Sequence, residues 1–103
     1  MTRAERVRAL LDEYARQRYE NEREQRRRER EAFSRDPELE KLRARSIELA
    51  AGSLRAAMGE PDADKRRAIA EEMRRKGTLI NAETRRRLRA LGLSEDYLEE
   101  HYR

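Results

Sequence analysis

The chain contains no cysteine and no tryptophan, and among its 103 residues there are only two prolines, four glycines and five aromatic side chains. Without cysteine there is no disulfide framework, no thiolate zinc site and no cysteine nucleophile. Five aromatic residues argue against a β-rich core. No apolar run approaches the roughly 18 residues that a membrane span requires. The opening Met1-Thr2-Arg3-Ala4-Glu5 lacks the apolar stretch of a secretion signal, so a soluble, cytoplasmic protein is expected. Leu, Ile, Val and Phe together number 16, a share low enough to make disorder a serious default, and the length allows one domain with a thin core at most.

What is abundant is charge. Asp, Glu, Lys and Arg make up 47% of the chain, yet the formal net charge is only +4, so the two signs nearly cancel and do not force the chain open. Ala, Glu, Lys, Leu and Arg supply 68 residues, a composition of long helices when carried on a helical period.

Residues 2–34 hold neither Gly nor Pro, and Val7, Leu10, Leu11, Tyr14 and Ala15 fall on one face of a predicted first helix. Beyond Tyr19 the stripe vanishes until Ala32 and Phe33. Glu22 with Arg26, Glu24 with Arg28 and Arg27 with Glu31 are spaced for ion pairs worth roughly 0.2–0.5 kcal/mol each. Asp36-Pro37-Glu38 reads as a cap, a first helical position and an acid at the positive helix end. In the second helix Leu39, Leu42, Ser46, Leu49 and Ser53 form one seam, and Ile47, Ala50, Leu54, Ala57 and Met58 a second beside it. A face that wide calls for two neighbours or a self-associating partner. Gly59 is expected as a left-handed terminator with Pro61 just beyond, and Asp62 or Asp64 opens a third helix carrying Ile69, Met73, Ile80, Thr84, Leu88 and Leu91. Gly77-Thr78 could kink it. Gly92 ends it with Leu93 placed for the accompanying apolar contact, and Ser94 caps a last short turn.

The predicted fold is therefore all-α: a long antiparallel helical hairpin, or three-helix coiled-coil-like bundle, with a short C-terminal helical turn. One domain spans 1–103, with helices over about 2–34, 37–58, 62–91 and 94–100. The three residues around Gly59-Glu60-Pro61 make the second and third helices antiparallel. Leu42, Ile47, Leu49, Leu54, Ile69, Met73 and Ile80 are expected to be the most buried side chains. Tyr14 and Tyr19 read as packing residues, and Tyr97 with Leu98 as an apolar latch folding back near Leu91 and Leu93. A core so small predicts a dimer at high concentration.

No side-chain constellation suggests catalysis. His101 is the one imidazole and reads as a solvated surface residue, so neither a metal nor another cofactor is expected. No Gly-x-x-x-x-Gly-Lys phosphate loop occurs. The carboxylates sit among arginines as surface ion pairs. Residues 61–93 carry a net charge of +5, and a continuous third helix would align Arg67, Arg74, Arg85 and Arg89 in a stripe suited to phosphates. Glu71 interrupts it and no aromatics interleave for base stacking.

The order of segments carries a resemblance. Ser46-Ile47-Glu48-Leu49-Ala50-Ala51, an acidic break, a basic helix and then Leu91-Gly92-Leu93-Ser94-Glu95-Asp96-Tyr97-Leu98-Glu99-Glu100-His101-Tyr102 resemble the N-terminal region of bacterial replicative-helicase loaders, the primosomal ATP-binding proteins of the DnaC/DnaI type. In that family a cysteine-containing segment and an AAA+ ATPase module follow this tyrosine. Here neither a cysteine nor a Walker loop is present, so ATP hydrolysis is not implied, and the expectation is an excised adaptor domain or a truncated relative. The resemblance implies docking onto the replicative DNA helicase. Two rival readings are a basic coiled-coil module that binds nucleic acid directly and a structural homodimeric coiled coil.

Helix lengths point to where a partner would bind. A first helix of about 33 residues against a second of about 22 leaves, if they fold antiparallel, an overhang bearing Val7, Leu10 and Leu11 with Tyr14 at its root. An apolar stripe left exposed there is what helix-in-groove recognition uses.

Overall fold

A computed structural model describes residues 1–103 as four helices without a strand: α1 (Arg3–Arg35), α2 (Pro37–Met58), α3 (Ala63–Ala90) and α4 (Glu95–His101). Each begins at a residue whose side chain accepts from the first turn: Thr2, Asp36, Asp62 and Ser94. α1 and α2 are separated by Asp36 alone, and Pro37 occupies the first position of α2. α3 runs unbroken through Gly77, whose missing side chain leaves ordinary contact room beside Leu49 of α2, while Thr78 bonds back to the Arg74 carbonyl at 2.8 Å.

α2 and α3 form the expected antiparallel hairpin, and the chain reverses again after α3. Gly92 adopts φ 96°, the Leu93 N–H donates to the Leu88 carbonyl (3.2 Å) and the Gly92 N–H to the Arg89 carbonyl (3.1 Å). Leu88 and Leu93, the apolar partners of this reversal, are both buried in the core. Gly59 corrects the expectation of a left-handed end: its φ is −86°, and α2 stops by drawing the Gly59 N–H onto the Arg55 carbonyl at 3.1 Å.

The core lies at one end of the hairpin. Ala32 and Phe33 of α1, Leu39 and Leu42 of α2, Leu88 of α3, and Leu93, Tyr97 and Leu98 around α4 form a single cluster, with Ile80 and Tyr102 against its edge. Leu39, Leu88 and Leu98 lose all contact with solvent. Asp36 ties the knot electrostatically, because it accepts from the Glu38 N–H at 3.0 Å and from the Arg87 guanidinium at 3.1 Å. Arg43 lies over the Phe33 ring, 3.9 Å from its centroid.

Burial along the hairpin differs from the expected list. Of the seven residues named, Leu42 alone is buried; Leu49, Ile69 and Ile80 are half-covered, while Ile47 and Leu54 are exposed and Met73 partly so. The reason is layering. The molecule measures 64 × 35 × 16 Å, too thin for a third helix across the hairpin face, so α2 hides its Leu42/Leu49 seam against α3 and leaves the Ile47/Leu54 seam uncovered. The latch forms as expected at Tyr97, Leu98 and Leu93, but Leu91 stays outside it and is exposed.

Two measurements check this account. Leu98→Ala should cost about 2–5 kcal/mol in urea unfolding, because it opens a cavity where all four helices meet. The buried tyrosines set an alkaline limit. Burial, with Glu29 close by, pushes the Tyr97 phenol up to about 12, and raises Tyr102 as well. The neutral phenol is thus favoured in the fold, so stability is complete below the unfolded value of about 10 and falls as the pH rises through 10 to 12. Tyr97→Phe combined with Tyr102→Phe should flatten that fall in stability measured against pH.

Candidate docking surface

The C-terminal third of α1 is held and the remainder is not. The Gln25 side-chain oxygen accepts from the Ser94 N–H at 2.8 Å, and the Tyr102 hydroxyl donates to Glu29 at 2.9 Å. His101 stacks at a tilt on Tyr97 and lies 3.9 Å from Glu22. Residues 3–21, by contrast, are exposed at every position.

This free segment stays helical through its own surface. Thr2 caps it and Arg16 pairs with Glu13; nearer the core, Arg26 with Glu22 (2.9 Å), Arg28 with Glu24 (3.3 Å) and Arg27 with Glu31 (2.6 Å) form the pairs expected from their spacing. Hydrogen bonds from Arg27 above all, and from Arg28, lower the Glu24 carboxyl to about 2.

The predicted partner-binding residues all lie on this arm. Val7, Leu10, Leu11 and Tyr14 are 48%, 71%, 63% and 65% exposed, and α3 does not reach them. Tyr19 is exposed too, which corrects its reading, and that of Tyr14, as packing residues; the reason is that α1 runs beyond every other element here. At the root of the arm a polar cleft of about 750 Å³ opens between α1 and α4, lined by Tyr14, Arg18, Asn21 and Glu22 on one side and by Asp96 and Glu100 on the other.

The arginine stripe of α3 is real as a face, since the helix is continuous, but half of it is neutralised. Arg67 pairs with Asp64 at 3.6 Å and Arg89 with Glu95, whereas Arg74 and Arg85 make no ion pair. Sequence reasoning missed Glu95 as the partner of Arg89, because the reversal at Gly92 brings the first turn of α4 back beside the last turn of α3. No three metal-ligating side chains gather anywhere in the molecule, and no helix is long and apolar enough to cross a membrane.

No family model matches the chain, and neither a curated protein nor a solved structure shows significant similarity to it.

The division of α1 is directly measurable. In hydrogen–deuterium exchange, amides of residues 6–20 should exchange at least about tenfold faster than those of residues 26–34, because local opening of the arm disrupts no buried contact.

Proposed function

We propose that this chain is a protein-docking adaptor whose α1 arm inserts into a partner, and that the partner is the replicative DNA helicase implied by the resemblance to helicase-loader N-terminal regions. The observation that carries the docking role is the exposed stripe of Val7, Leu10, Leu11 and Tyr14 on a helix projecting from a compact knot. Large apolar side chains displayed to water at helical spacing raise the free energy of the free chain, and burial in a complementary groove lowers it. Fully burying Val7, Leu10 or Leu11 would contribute about 1.5–3 kcal/mol each, so the stripe anchors binding and the polar contacts around it must help offset the cost of association.

Direct nucleic-acid binding is the weaker reading, because Asp64 and Glu95 already occupy Arg67 and Arg89. Salt separates the two. Phosphate contacts release counterions and weaken steeply between 50 and 200 mM salt, on the order of tenfold or more per few contacts, whereas an apolar arm loses little.

The decisive variant is Leu10→Asp with Leu11→Asp. It should abolish capture of the chain by the purified replicative helicase in a pull-down while leaving the helical circular dichroism nearly unchanged. Undiminished capture would reject the arm as the docking element.

A further inference from the structure

A second apolar surface lies away from the arm. On α2, Ile47, Leu54 and Met58 are 62%, 61% and 80% exposed, and with Ala51 they follow one line at a spacing of four, three and four residues. This line faces away from α3, which α2 meets through Leu42, Leu49 and Ser53. In a chain that is 47% charged, residues 46–58 carry only Glu48 and Arg55. Neither is ion-paired, although α2 satisfies Lys41 with Glu38 and Arg43 with Glu40. Glu48 and Arg55 lie seven apart on the same flank of the apolar line, about 10 Å along the axis and out of reach of each other.

The chain's own first helix cannot supply the cover. The one-residue turn at Asp36 fixes the register, and folding α1 back onto α2 would lay Gln25, Asn21 and Arg18 against Ile47, Ala51 and Leu54. A second copy fits far better. Two α2 helices packed antiparallel about a two-fold axis level with Gly52 and Ser53 set Ile47 opposite the partner's Met58 and Ala51 opposite the partner's Leu54, so small meets large. In such a pair like flanks face each other, and Glu48 comes within reach of the partner's Arg55 twice over. The alanines allow the axes to approach to the short end of the usual 8–10 Å.

We infer that the outer face of α2 is a homodimer interface, formed by antiparallel pairing with a second copy of this chain through Ile47, Ala51, Leu54 and Met58 and fixed in register by Glu48 with the partner's Arg55. One helix pair about 33 Å long is smaller than a standard interface, so the dimer is a weak one with a dissociation constant of order 10 μM. The inference uses none of the arm residues, so its failure and that of the docking proposal are separable.

Sedimentation equilibrium across about 5–200 μM should show the dimer in the full chain, and Leu54→Glu should raise the dissociation constant at least tenfold with unchanged circular dichroism. Glu48→Arg alone and Arg55→Glu alone should each weaken it about tenfold by setting like charges opposite each other. Mixing these two variants should restore association as a heterodimer, an outcome that no contact within one chain produces. Because the chain has no native cysteine, a short bis-maleimide linker reads the register directly. Ala51→Cys should cross-link to itself, and Ile47→Cys only when mixed with Met58→Cys. A monomer at 200 μM, failure of the mixed variants to associate, or preferential cross-linking of Ala51→Cys to Leu10→Cys would overturn the inference, the last by making the partner's arm the occupant.

Discussion

Leu39, Leu88 and Leu98 meet where the end of α1, the start of α2, the end of α3 and the whole of α4 converge, and every other feature hangs from that point. Water is excluded there and almost nowhere else: nine of the 103 residues are buried. The knot sets the orientation of the α1 arm, closes one end of the α2–α3 hairpin and holds α4 across the root of α1. Asp36 reinforces it by serving at once as the cap of α2 and the acceptor for Arg87, so the turn that separates two helices also bonds to a third.

The ion pairs play a different part. Most are three or four residues apart on one helix and open to solvent, so each adds a few tenths of a kcal/mol and mainly keeps long helices helical where nothing packs against them. Arg87 with Asp36 and Arg89 with Glu95 are the exceptions, because they join segments distant in sequence or reversed in direction. Self-supporting surface and a small knot together explain how so polar a chain holds an extended shape.

The helices were legible because their punctuation is chemical: Asp36-Pro37, Asp62 and Gly92-Leu93-Ser94 mark ends by capping, a missing N–H or a left-handed residue. The latch at Tyr97-Leu98 was legible as the one large apolar pair after Gly92. The axial position of the core was not. Periodicity assigns a residue to a face but does not say whether a neighbour covers that face at that height, so Ile47 and Leu54 looked as buried as Leu42. Nor does the pattern fix the direction in which α1 leaves Asp36, which depends on a single residue and on the packing of Ala32 and Phe33. The exposure of Val7, Leu10, Leu11 and Tyr14 was read from helix lengths on the premise that α1 folds antiparallel onto α2. Instead α1 leaves the hairpin, so the exposed stretch is the whole of residues 3–21 and not an overhang of about a third of the helix.

An α-helix pinned over its last third and free over the rest is a lever with its fulcrum at Gln25 and Glu29. The free length from Arg3 to Asn21 is about 28 Å, so a tilt of 10° at the fulcrum sweeps the tip through roughly 5 Å. The Gln25–Ser94 and Glu29–Tyr102 hydrogen bonds are the stops against that tilt. Mechanical load applied to Val7 and Leu10 would therefore be felt first in α4, not in the hairpin, and whatever stiffens or loosens that seven-residue helix tunes the compliance of the whole arm.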